Sequence, residues 1–133
     1  MYLESKPIHL EPTEESDFYY RNVTVGFYSS NTISIHVCGY NTVYREYPKL
    51  DYEILLREHD SNLKVGTALF DFKKDELDAI VSVMQKMALK FVKDAFTKDV
   101  DYSDEVSTLM SVSHTIKNLT WKKPAWVEEE GGK

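Results

Sequence analysis

In the run Ile33–Tyr40, ISIHVCGY, a histidine and a cysteine stand two residues apart. On an extended strand, residues i and i+2 point to the same side, so His36 and Cys38 share a face. An imidazole beside a thiol offers two chemistries. It can take the thiol proton and leave a nucleophilic sulfur, or both groups can bind zinc. The spacing weakens both. Same-face strand neighbours sit about 7 Å apart at Cβ, long for a thiol–imidazole contact. A structural zinc site takes four ligands, and His9, His59 and His114 are scattered, with no second cysteine. The pair reads as a small apolar thiol and a histidine on a half-buried face. No metal and no cofactor are expected.

Carboxylates come next. Glu46 and Glu53 fall on neighbouring strand-like runs, and paired carboxyls perform general acid–base work when a cleft desolvates one of them. Nothing in the sequence builds that cleft, and Arg45 and Arg57 lie nearby as solvated partners. DVDYSDE brings Asp99, Asp101, Asp104 and Glu105 together. It lacks the glycine and the closing glutamate spacing of a calcium loop, so it reads as a solvated loop and helix start. The five glycines form neither G-x-x-x-x-G-K nor G-x-G-x-x-G, which excludes the standard phosphate cradles. The chain is therefore expected not to be an enzyme.

The remaining chemistry is aromatic. TVYREYPKLDYEILLREHD, residues 42–60, interleaves tyrosines and arginines among strand formers. Tyr28, Tyr40, Tyr44, Arg45, Tyr47, Tyr52 and Arg57 are the candidate binding residues. Such a surface can stack bases, at about 1–3 kcal/mol each, while Arg21, Arg45, Arg57 and Lys64 meet phosphates. The charge tally opposes this. From Arg21 to Phe72, five cationic residues face six acids, and phosphate contacts normally dominate nucleic-acid affinity. Tyrosine is also a favoured strand residue and an enriched protein-interface residue. A protein partner is the first expectation, either another protein or a second copy in a homodimer. Single-stranded nucleic acid is the second.

These residues need elements to hold them. The 133 residues fit one domain, and 42% hydrophobic with 29% charged residues marks a globular chain. The net charge of −6 is confined to the ends: an acidic extended arm (1–17) carries −4 and an acidic tail (128–133) carries −2. The body, residues 18–127, is neutral and forms a single α+β domain. One cysteine forbids an internal disulfide, the start of the chain resembles no secretory signal, and no apolar run approaches membrane length. A cytoplasmic location away from the membrane is expected.

RNVTVGFY and ISIHVCGY both alternate with a period of two across the polar turn SSNT, which predicts a hairpin. TVYREY predicts a third strand, interrupted by Pro48. YEILLRE predicts a fourth and LKVGTALFDF a fifth. Short connections make the neighbours antiparallel. The period then changes. Leu77, Ile80, Val81, Met84, Ala88 and Phe91 recur at three- and four-residue steps, with Ser82, Lys86, Lys90 and Lys93 on another side, which predicts a long amphipathic helix. Residues 103–117 fit a second, shorter helix capped by Ser103, although the serine-rich alternation also permits a strand. Trp121 and Trp126 are expected to dock on the body. The fold class is α+β: an antiparallel sheet of about five strands, with the long helix packed on one face and the shorter C-terminal helix beside it.

Overall fold

The computed structural model describes residues 3–11, 19–28, 31–41 and 49–119. Five strands and three helices follow in chain order: β1 (Leu3–Glu4), β2 (Ile8–Leu10), β3 (Tyr19–Phe27), β4 (Thr32–Asn41), β5 (Lys49–Arg57), α1 (Asn62–Ala68), α2 (Lys74–Lys98) and α3 (Ser103–Lys117). All strand pairs are antiparallel. β3 pairs with β4 and β4 with β5, while β1 and β2 pair in succession along the outer edge of β3. The expected α+β class is the observed one.

The hairpin forms because both runs alternate in step. Val23 lies opposite Val37, Val25 opposite Ile35 and Phe27 opposite Ile33, and all six are buried. β5 continues the layer, with Leu56 opposite Ile33 and Ile54 opposite Ile35. The predicted stripe of α2 (Leu77, Ile80, Val81, Met84, Ala88, Phe91) is buried to the last residue, against a sheet face whose side chains are apolar at every second position. α3 adds Leu109, Val112 and Ile116 to the same core. The Phe27 and Phe91 rings meet edge-to-face at 5.7 Å, a favoured aromatic geometry. All three helices lie C-terminal to the sheet, and α2 and α3 cover one of its faces. Among the described residues, nothing covers the other face.

Two differences from the expected element map have clear causes. LKVGTALFDF is not a strand; its first part is α1. Val65, Leu69 and Phe72 are buried at steps of four and three, a helical period, and the Ser61 hydroxyl accepts from the Lys64 N–H as an N-cap. The sheet reaches five strands through the N-terminal arm instead. Leu10 is buried, and Ser5 exchanges bonds with Val25, donating its own N–H at 2.7 Å and accepting the Val25 N–H on Oγ at 3.0 Å. Residues 103–117 are helical, and the Asp101 carboxylate, not Ser103, accepts the free N–H at its start. The third predicted strand, residues 42–47, lies wholly outside the described residues, as do Trp121 and Trp126. Among the described residues, no helix is long and apolar enough to cross a membrane.

α3 is tied to the sheet by polar contacts as well. Ser107 donates to Glu58 at 2.7 Å, and the Thr108 hydroxyl lies 3.2 Å from Asn31 Oδ1 in the β3–β4 turn.

Candidate functional site on the open sheet face

Strand parity decides what the uncovered face carries. Tyr20, Asn22, Thr24 and Tyr28 alternate with the buried residues of β3. Ser34, His36, Cys38 and Tyr40 do so on β4, and Asp51, Glu53, Leu55 and Arg57 on β5. Register then sets the rows: Tyr20 opposite Tyr40; Asn22, Cys38 and Asp51 in line; Thr24, His36 and Glu53 in line; Ser34 opposite Leu55. His9 of β2 extends the second row beside Asn22, and its Nδ1 meets Asn22 Oδ1.

The centre of this face is polar and internally bonded. Glu53 Oε2 accepts from the Tyr28 hydroxyl at 2.5 Å and from the Ser34 hydroxyl at 2.7 Å. These donors favour the ionised carboxylate and hold its pKa below the usual glutamate range, Tyr28 first and Ser34 second. The His36 Nε2 lies 2.7 Å from Asp51 Oδ1. Cys38 Sγ sits 3.5 Å from Nε2 and 3.7 Å from Nδ1 of the same ring. The long Cβ spacing expected of this pair is thus closed by the side chains leaning together. Burial first, and the Asp51 charge second, push the Cys38 thiol up. A thiol held protonated is a poor nucleophile. The ring nitrogen nearest the sulfur already contacts Asp51, so the arrangement does not activate Cys38.

The aromatic residues frame this centre. The Tyr20 and Tyr40 rings lie 5.4 Å apart at one end, and both are exposed. Tyr28, 43% exposed, and Leu55, 49% exposed, lie toward the other end.

Of the seven candidate binding residues, Tyr28, Tyr40 and Arg57 occupy the open face. Tyr52 does not: it pairs with Val37 and shares the helix-covered side with Ile54 and Leu56, protruding where cover is incomplete. Tyr44, Arg45 and Tyr47 lie outside the described residues. Arg21, expected as a phosphate contact, is withdrawn to the core side at 6% exposure and bonded to Glu76 at 2.5 Å. Its odd-numbered place beside Val23 and Val25 carried that information.

Sequence reading placed Leu55 on the open face, where it is found, but missed Tyr20 and Asp51 there. Pairing Tyr20 with Tyr40 and Asp51 with Cys38 requires the registers of both ladders, which no single strand pattern supplies. It also missed the exposed apolar residues Leu89 and Phe96 on the outer side of α2, 65% and 85% exposed, which share a side at a seven-residue step. Comparison with protein-family models, curated proteins and solved structures found no match to this chain.

Proposed function

We propose that this protein is a non-catalytic protein-binding module, of the kind that serves as a small inhibitor, adaptor or assembly factor, and that it binds through the open face of its sheet. One observation carries the reading: an uncovered antiparallel face with exposed Tyr20, Tyr28, Tyr40 and Leu55 around a centre whose polar groups are already fixed by hydrogen bonds. Rigid amphipathic aromatics and leucine supply contact area at low entropic cost. Prearranged polar groups avoid paying for ordering on binding.

The charge pattern favours a cationic partner. Asp51 and Glu53 stand in the middle, and Glu53 is held ionised. The complementary surface is a protein that presents a lysine or arginine flanked by apolar side chains. A second copy of the chain fits less well, because a twofold contact would set acidic centre against acidic centre.

Single-stranded nucleic acid remains the competing reading, motivated by the Tyr20–Tyr40 pair. Among the described residues, Arg57 is the arginine that this face offers a phosphate. Arg21 is buried in an ion pair, and Asp51 and Glu53 lie where phosphates would run.

Immobilised wild-type chain and a Leu55→Glu/Tyr40→Ser variant test the proposal together. A partner enriched by wild type, lost from the variant, and reproduced by titration calorimetry of the two purified proteins is the expected outcome. Retention that survives both substitutions contradicts it.

A further inference from the structure

The open face also holds a group of side chains whose chemistry differs from that of a docking surface. Among the described residues, one ligand atom each from His36, Cys38 and Asp51 lies within 4.8 Å of the other two. We propose that these three residues form a binding site for a divalent transition-metal ion of borderline softness, zinc above all, with water completing the coordination. This proposal stands independently of the protein-binding reading.

The donor set comes first. Imidazole nitrogen, thiolate sulfur and carboxylate oxygen are the three protein donors that zinc takes, and a sulfur ligand selects against magnesium and calcium. Three protein ligands with one position left to solvent is a recurrent zinc arrangement. Here the solvent side is available, because Asp51 is 75% exposed.

Distance comes second. Zinc bonds of about 2.3 Å to sulfur and about 2.0–2.1 Å to nitrogen, at a tetrahedral angle, place the two donors roughly 3.5 Å apart. Cys38 Sγ and His36 Nε2 are 3.5 Å apart. The Nε2 to Asp51 Oδ1 separation is 2.7 Å, a hydrogen bond. It has to open by about half an ångström to admit an ion, since two such bonds set nitrogen and oxygen about 3.3 Å apart. Asp51, exposed on its strand, has room for that movement.

Support comes third. Cys38 and Asp51 are direct cross-strand partners in the β4–β5 ladder, and His36 follows on the same face of β4. The ligand backbones therefore sit on two hydrogen-bonded strands and not on a loop, which favours fixed geometry. Glu53 stands opposite His36, fixed by Tyr28 and Ser34, and adds negative potential beside the imidazole. A cation between Cys38 and Asp51 also replaces the repulsion that Asp51 exerts on a thiolate with attraction to a shared ion. On binding, the thiol proton passes to water, and the ion's two charges are balanced by thiolate and carboxylate.

Cobalt(II) titration of the full chain, followed by displacement with zinc(II), tests the site with a readout independent of any partner. The expected result is one equivalent of Co²⁺ bound with a thiolate-to-metal charge-transfer band, abolished by zinc. Cys38→Ser is expected to lose the band. Cys38→Ser and His36→Ala are each expected to weaken Zn²⁺ binding by more than the roughly 10–100-fold that loss of a merely supporting group costs. Asp51→Asn is expected to keep the band and bind more weakly. All three substitutions lie outside the core, and circular dichroism verifies that each variant retains the wild-type fold. Cobalt uptake without a charge-transfer band overturns the proposal, as does zinc affinity unchanged in Cys38→Ser and His36→Ala. Either means that the ion is adventitious and held elsewhere.

Discussion

The guanidinium of Arg21 and the carboxylate of Glu76 meet at 2.5 Å between β3 and the first turn of α2, both withdrawn from water. Glu76 Oε2 takes the Arg21 bond, while Oε1 accepts the Lys73 N–H at 2.9 Å and so caps α2. The guanidinium carbon also lies 5.7 Å from the centre of the Phe72 ring. One carboxylate thus anchors the long helix to the sheet and satisfies its N-terminus.

Removing one charge of this pair strands the other. Glu76→Gln keeps a cap acceptor but leaves Arg21 charged and buried, and is expected to cost about 3–5 kcal/mol. Arg21→Met combined with Glu76→Gln removes both charges and is expected to recover most of that loss. Urea unfolding of the two variants checks the ordering. A double variant no more stable than Glu76→Gln contradicts it.

At Gly39, β4 leaves no room for a side chain against the backbone of β3. A Cβ built there lies 2.3 Å from the Tyr20 carbonyl oxygen and 3.3 Å from its carbon, both backbone atoms. The backbone, unlike a flexible side chain, has little means of yielding. Gly39→Ala is expected to cost about 1–3 kcal/mol and to disturb the adjacent Tyr20–Tyr40 pair. Thermal unfolding measures the first effect and tyrosine ring chemical shifts the second.

Glu53 links the open face to pH. Its folded pKa is depressed, chiefly by the Tyr28 hydroxyl and then by Ser34. A depressed carboxyl contributes stability that is present above the unfolded value, about 4.3 for glutamate, and is lost as pH falls through the lower folded value. Tyr28→Phe removes the larger cause. The Glu53 titration is expected to move upward toward the ordinary value, read by carboxyl NMR, and acid unfolding is expected to begin at higher pH. An unmoved Glu53 titration contradicts the contribution of Tyr28.

The sheet and the long helix were legible in the sequence because their periods are strong and agree with burial. Val23, Val25 and Phe27 alternate over a half-buried strand, and Leu77 to Phe91 repeat over about four turns of one side. α1 was not legible as a helix. It is seven residues long, contains Gly66, and has an exposed leucine, Leu63, at its start. Its stability comes from seating Val65 and Leu69 in the core, not from propensity. The candidate site was legible only as residue types. Parity placed His36 with Cys38, but Tyr52 was expected with Tyr28 and Tyr40 and lies instead on the helix-covered side. The nearness of Asp51 to Cys38, and of Tyr20 to Tyr40, arises from the register between neighbouring strands. The second-choice nucleic-acid reading drew on Arg21 for a phosphate contact, which β3 instead turns inward to Glu76.

Nucleic-acid binding yields a clear contrast. Gel retardation with single-stranded oligonucleotides is expected to show no salt-sensitive complex, because Arg21 is turned inward to Glu76 and, among the described residues, Asp51 and Glu53 stand at the middle of the face, against the phosphate contacts that make such binding steeply salt-dependent. A complex that forms at about 50 mM salt and dissolves by about 200 mM contradicts the assignment of the face to a protein.

A photoreactive amino acid at position 55 of the full chain, compared with one at position 96 on α2, probes the open face most directly in cells. Leu55 lies on the open face opposite Ser34, and Phe96 is an exposed apolar residue of α2. A discrete adduct from position 55, degraded by protease, untouched by nuclease and lost on Tyr40→Ser, is the predicted result. Adducts from position 96 alone, or nuclease-sensitive adducts from position 55, would contradict the claim that this sheet face binds a protein.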